Sequence, residues 1–126
     1  MKTYKKYTYI PASPEEVYLA LIKAQSIQLW TGAEVEFTEE PGTEFSFWDG
    51  DITGKNLEFD YAKKIVQQWY FGEENEPSIV TIKLHEDKKG TSLEFLQTNI
   101  PEADYDEFTS GINEYYLGGL TDFFDE

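Results

Sequence analysis

The spacing of hydrophobic and polar residues changes twice along this chain. Residues 2–10 alternate loosely, as in a β-strand. The tetrapeptide Ser13-Pro14-Glu15-Glu16 then places a hydroxyl at the N-cap, proline at the first helical position and a carboxylate at the third, which is a capping box. We predict a helix from residue 14 to about residue 24, followed by a shorter helical turn over 26–30 that stops near Gly32.

From Glu34 onward, apolar residues recur at every second position, which predicts β-strands. Turn sequences separate the runs: Pro41-Gly42, Asp49-Gly50 and Asp87-Lys88-Lys89-Gly90, in which Gly90 is expected to take up a positive φ. Because connections this short join antiparallel neighbours, the sheet should be antiparallel. The predicted strands cover residues 33–39, 43–48, 51–61, 63–71, 78–86 and 90–98.

The same alternation predicts one buried and one solvated face of the sheet. Charged residues such as Glu58, Asp60, Lys83 and Glu94 have the opposite parity to the apolar ones. The residues expected on the buried face are Phe45, Phe47, Leu57, Phe59, Tyr61, Ile65, Gln67, Trp69, Phe71, Val80, Ile82, Leu84, Leu93 and Phe95.

The segment 104–126 has a helical period and an aromatic face, so its expected partner is the concave side of the sheet. That face comprises Tyr105, Phe108, Ile112, Tyr115, Tyr116, Gly119, Leu120 and Phe123. The pattern predicts an α+β fold of the order β-α-α-β6-α. A curved antiparallel sheet of six to seven strands would wrap around a long C-terminal helix, and residues 1–126 would form a single domain.

Charge and composition narrow the classes of partner. The chain has 25 Asp and Glu against 10 Lys and Arg, a formal net charge of −15, which repels nucleic acid and anionic membranes but is compatible with a basic protein. There is no cysteine, so disulfides and thiolate metal sites are excluded. Neither a signal peptide nor a membrane span is visible, and a cytoplasmic location is expected.

A sheet curved around a long helix usually leaves a cavity between the two. Because aromatic residues can line a core or a pocket with few side chains, the 17% aromatic content fits either a filled core or a binding site there. Tyrosine hydroxyls and Gln67 would supply polar specificity, and Gly119 would either widen the pocket or allow close packing. The candidate ligand-binding residues are Trp30, Phe45, Phe47, Gln67, Trp69, Phe95, Ile112, Tyr115, Tyr116 and Gly119.

No catalytic, metal or cofactor site is predicted. His85 is the only histidine and has the parity of Lys83, so it should face solvent. The many carboxylates show no calcium-loop spacing, and no nucleophile-elbow or P-loop motif is present.

The order of elements resembles the helix-grip layout of the START and birch-pollen-allergen superfamily. Within it, the chain resembles the Aha-type family, named for the activator of the ninety-kilodalton heat-shock-protein ATPase. Family members commonly carry tryptophan where this chain has Ile112. The resemblance rests on residues 10–18, Trp30, Glu40-Pro41-Gly42-Thr43-Glu44-Phe45, residues 49–54, Lys64-Ile65-Val66 with Trp69, Gly90-Thr91-Ser92-Leu93 and residues 111–120.

Three functions remain open at this point. The first is a non-catalytic domain that encloses a small apolar or aromatic ligand between sheet and helix. The second is a protein-interaction module that uses its acidic surface on a basic partner; the resemblance implies a chaperone co-regulator or stress-response accessory. The third is an enzyme, since some superfamily members cyclise or hydrate substrates. The chain is expected to be a monomer or a homodimer.

Overall fold

The computed structural model describes residues 2–70 and 77–124, which form six strands and a set of helices. The strands form one antiparallel sheet in the order β1-β6-β5-β4-β3-β2. The predicted α+β helix-grip fold is therefore confirmed. The strands are β1 (Lys2–Ile10), β2 (Glu44–Phe47), β3 (Ile52–Asp60), β4 (Lys64–Trp69), β5 (Ser78–Asp87) and β6 (Gly90–Ile100). The helices are α1 (Pro14–Ile22), α2 (Ala24–Thr31), a 3₁₀ turn (Glu102–Asp104), α3 (Tyr105–Gly111), a π-helical segment (Ile112–Leu117) and α4 (Gly118–Phe124).

The start of α1 is the predicted cap. The Ser13 Oγ accepts a hydrogen bond from the Glu16 backbone N–H at 3.2 Å and donates one to the Glu16 carboxylate at 3.1 Å. The extended residue Lys23 separates α1 from α2, so the first helix ends earlier, and the second begins earlier, than predicted. Gly32 closes α2 in the left-handed conformation, with φ of 75°.

One predicted strand is nearly absent. Within 33–39, only Glu36 pairs with the sheet, through two backbone hydrogen bonds to Ser46 at 3.0 and 2.9 Å. The chain then turns back on itself, because Thr43 donates a backbone hydrogen bond to Glu40 at 3.3 Å and Gly42 donates one to Asn56 at 2.7 Å. The segment 33–39 is therefore a short connection with a single bridge.

Two residues predicted on the buried face of β3 lie outside. A β-bulge between Asn56 and Glu58 shifts the register against β4, so Leu57 is 37% exposed, and Phe59 returns inward after the bulge. Tyr61 lies in the turn after β3 and is 61% exposed. Phe71, also predicted to be buried, lies outside the described residues.

The two hairpin turns differ in their use of glycine. Asp49 and Gly50 have φ of 54° and 94°, and Asp51 donates a backbone hydrogen bond to Trp48 at 3.2 Å, which is the predicted tight turn. In the β5–β6 turn the positive φ (57°) belongs to Lys88, so the expectation for Gly90 was wrong. A Cβ at Gly90 would lie 2.6 Å from the carbonyl oxygen of Ile10, a backbone atom that cannot move aside as the exposed Tyr9 side chain can, so close packing requires this glycine.

The C-terminal helical stretch covers the concave face, but its buried face differs from the predicted one. The π-helical segment makes a wider turn than an α-helix, which rotates the following residues relative to the sheet. As a result Leu117 turns inward, while Tyr115 and Phe123 are 62% and 38% exposed. The core lies between this stretch, α1, α2 and the concave face.

Candidate binding site

A cluster of aromatic rings fills the space between the concave face and the C-terminal helix. Tyr116 lies at its centre, with ring centroids 5.0 Å from Trp30, 5.6 Å from Trp69, 5.9 Å from Phe95 and 6.3 Å from Phe47. All five side chains are buried. The structure therefore brings these five candidate ligand-binding residues together, in contact with one another.

The other apolar candidates lie around this cluster or outside it. Phe45 packs against Phe47 with ring centroids 5.3 Å apart. Ile112 is buried in the π-helical segment. A Cβ at Gly119 would lie 2.8 Å from the carbonyl oxygen of Trp30, so this glycine allows α4 to approach α2 closely. Tyr115 is on the outer surface, because the π-helical turn directs it away from the cluster.

Gln67 belongs to a buried chain of hydrogen bonds. Its Oε1 accepts from the Trp69 indole N–H at 2.8 Å, and its Nε2 donates to Asn56 Oδ1 at 3.0 Å. Asn56 in turn donates to the carbonyl oxygen of Thr38 at 3.1 Å. Both ends of the Gln67 amide therefore bind protein groups. Sequence reasoning missed Asn56, because the predicted alternation placed residue 56 on the solvated face, and the bulge between Asn56 and Glu58 is what turns it inward.

Two polar side chains near the aromatic cluster differ in how fully their polar atoms are buried. The Tyr116 side chain is 2% exposed and burial raises its pKa, but its hydroxyl is not among the fully buried, unpartnered side-chain atoms of the described residues, which are Thr8 Oγ1 and Gln97 Oε1. Gln97 donates to Ser78 Oγ at 2.9 Å, yet its buried Oε1 accepts nothing from the described part of the chain. Gln97 was also missed, although it shares the inward parity of Phe95 on β6.

Three adjoining open recesses, of about 370, 480 and 400 Å³, run along the surface between the β2–β3 hairpin and the C-terminal helical stretch. All three recesses share Asp51 in their lining, and neighbouring ones share further residues, so we treat them as one continuous depression and call it the acidic trough. Its apolar residues are Trp48, Ile52, Trp69, Phe108, Ile112 and Tyr115. Its acidic residues are Glu34, Asp49, Asp51, Asp104 and Glu107.

Among residues 2–70 and 77–124, no basic side chain forms an ion pair with the trough carboxylates. The ion pairs between lysine and carboxylate in the described residues lie elsewhere, at Lys5–Glu94, Lys23–Glu39 and Lys64–Glu58. The sequence explains this separation: segments 24–54 and 100–126 hold seven and eight acidic residues and no Lys or Arg. The trough is therefore rich in carboxylates that lack a nearby cation in the described part of the chain.

His85 lies on the opposite, convex face of the sheet, with half of its side chain exposed, as predicted. Its Nε2 is 3.0 Å from the Glu94 carboxylate. That hydrogen bond, together with Lys5 and Lys83, lowers the pKa of Glu94. Across residues 2–70 and 77–124, no group of three or more His, Asp and Glu side chains could hold a metal ion. Within the same ranges, no helix is long and apolar enough to cross a membrane.

Solved structures of similar fold include the Aha1 dimer from Colwellia psychrerythraea, with a TM-score of 0.80, 21% identity and coverage of 99% of this chain and 95% of that one. An HSP90 activator from Plasmodium falciparum has a TM-score of 0.73 and 23% identity, with coverage of 94% and 97%. At these identities the likeness shows the fold alone.

The sequence comparisons go further. The human Activator of 90 kDa heat shock protein ATPase homolog 1 is 30% identical over 117 residues, which are 91% of this chain and 34% of that protein. This chain thus spans about a third of the length of the curated relatives it matches. Residues 11–125 match a family model described as Activator of Hsp90 ATPase homolog 1-like protein. With nearly the whole chain matched, the protein belongs to the family of Activator of Hsp90 ATPase homolog 1-like proteins.

Proposed function

We propose that this chain is a non-catalytic protein-interaction domain with a co-chaperone-like role, and that it binds an Hsp90-type chaperone through the acidic trough. The observation that carries the proposal is the contrast between a filled interior and an open, unneutralised groove. The space between sheet and helix is occupied by the Tyr116 cluster. The trough, in contrast, presents apolar and charged side chains to solvent.

The composition of the trough supports a protein partner. Tyr115 is 62% exposed and Trp48 is partly exposed, and aromatic residues of this kind are enriched in interface hot spots. Carboxylates without partners in the described residues, such as Asp51 and Glu107, surround them. An apolar centre with a charged rim is the usual composition of a transient interface.

The family match supports an Hsp90-type chaperone as the partner to test first. The human relative is named as an activator of the 90 kDa heat shock protein ATPase, and the Plasmodium falciparum structure is described as an HSP90 activator. That second protein has nearly the same extent as this chain, so a domain of this size is a reasonable unit for the role. A homodimer is a further proposal, supported by the Colwellia psychrerythraea dimer.

The test measures binding of the purified chain to an Hsp90-type chaperone and the rate of ATP hydrolysis by that chaperone. We expect binding that weakens steeply from low to high salt, because charge attraction contributes to it. The double variant Asp51→Asn/Glu107→Gln should weaken binding, whereas Glu15→Gln/Glu86→Gln, with the same charge change on exposed residues outside the trough, should not. Chaperone binding or stimulation that is undetectable, or affinity that is flat with salt, would contradict the proposal.

A small ligand near the aromatic cluster is a second candidate function. The unused hydrogen-bonding capacity of the buried Gln97 Oε1 favours it, because buried polar groups normally have partners. A small molecule with a hydrogen-bond donor and an apolar body would complement this oxygen and the neighbouring aromatic rings. Native mass spectrometry of the purified protein tests this candidate: a bound molecule that is lost in Gln97→Leu supports it, and an unliganded mass that persists with added aromatic compounds counts against it.

A further inference from the structure

We propose that the acidic trough accepts a basic amphipathic segment of its partner, with apolar side chains on the floor and Lys or Arg side chains on both rims. This inference rests on the proposed function in that it assigns the chemistry of the partner at the same surface. It is carried by the shape of the trough, by the fixed position of its aromatic residues and by the placement of its charges.

The shape favours an extended segment over a compact molecule. Each recess, at about 370 to 480 Å³, falls in the range of ~300–1,000 Å³ typical of a small-molecule site. The three recesses adjoin one another, with Asp51 in the lining of each, and their linings reach Tyr70 in one recess and Ala33 in another. A peptide segment can occupy adjoining recesses with successive side chains, whereas a small molecule fills only one.

The floor contains an aromatic residue that is held in place before binding. Trp48 has φ of 52°, which is rare for a bulky residue, and it leads directly into the tight turn at Asp49 and Gly50. The indole N–H of Trp48 donates to the carbonyl oxygen of Thr31 at 3.0 Å. Because backbone and side chain are both fixed, binding at Trp48 loses little conformational entropy.

The charges lie on both sides of this floor. Glu34, Asp49 and Asp51 come from the connection after α2 and from the β2–β3 hairpin, and Asp104 and Glu107 come from the start of the C-terminal helical stretch. None of the five carboxylates forms an ion pair in the described part of the chain. A segment with an apolar stripe flanked by cations satisfies both rims, whereas an acidic or purely apolar segment does not.

The test uses three synthetic peptides of equal length: an amphipathic Leu/Lys peptide, the same peptide with Glu in place of Lys, and oligolysine. Binding is followed by intrinsic fluorescence, in which Trp48 is the most exposed of the three tryptophans, with Trp48→Phe as the spectroscopic control. We expect the Leu/Lys peptide to bind at least tenfold more tightly than either of the others. Equal binding of oligolysine would overturn the inference, because the apolar floor would then contribute nothing, and so would equal binding of the Leu/Glu peptide.

Variants locate the binding. Asp51→Asn/Glu107→Gln should weaken binding of the Leu/Lys peptide by roughly three- to tenfold, since partly exposed ion pairs contribute modestly. Tyr115→Ser should weaken it to a similar extent, and Glu15→Gln/Glu86→Gln should leave it unchanged. If both double variants act alike, the peptide responds to net charge alone and the inference is wrong.

The same variants separate this inference from the proposed function. Chaperone binding without any peptide preference would mean that the co-chaperone-like role stands and that the trough does not bind basic amphipathic segments selectively. A clear preference for the Leu/Lys peptide without chaperone binding would mean that the trough chemistry stands and that the partner belongs to another class of protein.

Discussion

The substitution Tyr116→Phe tests the interpretation of the buried aromatic cluster with the least change to the protein. It removes one hydroxyl from a side chain that is 2% exposed and keeps the ring that contacts Trp30, Phe47, Trp69 and Phe95. Burial of this side chain raises the pKa of Tyr116, so the hydroxyl loses most of its hydration on folding, and no hydrogen bond to the described residues replaces it. We therefore expect Tyr116→Phe to be more stable than the wild type.

The size of the effect follows from the cost of burying an unpaired polar group. Mutational data place that cost at about 1–3 kcal/mol, and we expect a gain near the lower end, about 1 kcal/mol in the free energy of unfolding. Tyr116→Ala should instead lose about 3–5 kcal/mol, because it removes the ring and leaves a cavity among four aromatic neighbours. Tyr115→Phe, at a residue that is 62% exposed, should change stability very little.

Urea unfolding followed by circular dichroism, with the slope m unchanged between variants, measures these differences. High pH supplies a second reading. Burial raises the pKa of Tyr116, so above the ordinary tyrosine pKa of about 10 the unfolded chain releases this proton before the folded one. The free energy of unfolding should therefore fall as the pH rises above about 10, because ionisation of Tyr116 favours the unfolded chain. Tyr116→Phe, which has no hydroxyl to ionise at this position, should lose less stability over this pH range than the wild type. A Tyr116→Phe protein that is destabilised by 1 kcal/mol or more would refute the reasoning, since the hydroxyl would then have a partner in solution.

Three further predictions concern packing, the buried amides and acid stability. Gly90→Ala should destabilise by about 1–3 kcal/mol in thermal unfolding, because its Cβ would lie 2.6 Å from the backbone carbonyl oxygen of Ile10, whereas Gly111→Ala, with open space around its Cβ in a helix, should be neutral or slightly stabilising. Asn56→Leu should cost about 2–3 kcal/mol in urea unfolding, because it leaves buried amide and carbonyl groups unpaired. Titration of Glu94 by NMR should give a pKa below that of free glutamate. The stability that Glu94 contributes should be fully present above the pKa of the unfolded chain, and it should be lost as the pH falls through the lower pKa of the folded protein. His85→Ala should raise the Glu94 pKa and flatten this acid dependence; an unchanged pKa would contradict the His85 assignment.

Local sequence signals predicted the elements whose causes are themselves local. The cap at Ser13 and Glu16 and the turn at Asp49 and Gly50 depend on residues a few positions apart, so their chemistry can be read directly from the sequence. The buried parity of β4, β5 and β6 was also correct, since it follows from the period of two.

Predictions failed where long-range contacts decide. The bulge beside Leu57 arises from pairing with β4, and the π-helical turn that exposes Tyr115 changes the face that meets the sheet. Gly90 is required by the backbone of Ile10, a residue 80 positions away. No pattern within a single segment carries this information.

For the candidate site, too, some features follow from the sequence and others only from the tertiary structure. The sequence by itself determined that the chain is acidic, aromatic and of helix-grip order, and that segments 24–54 and 100–126 contain no basic residue. Only the tertiary structure decided that Tyr116 fills the space beneath the helix, because the fit of one ring among four others depends on how the elements pack. It also decided that the two acidic segments form opposite sides of one trough, since their proximity is created by the sheet and the C-terminal helix coming together.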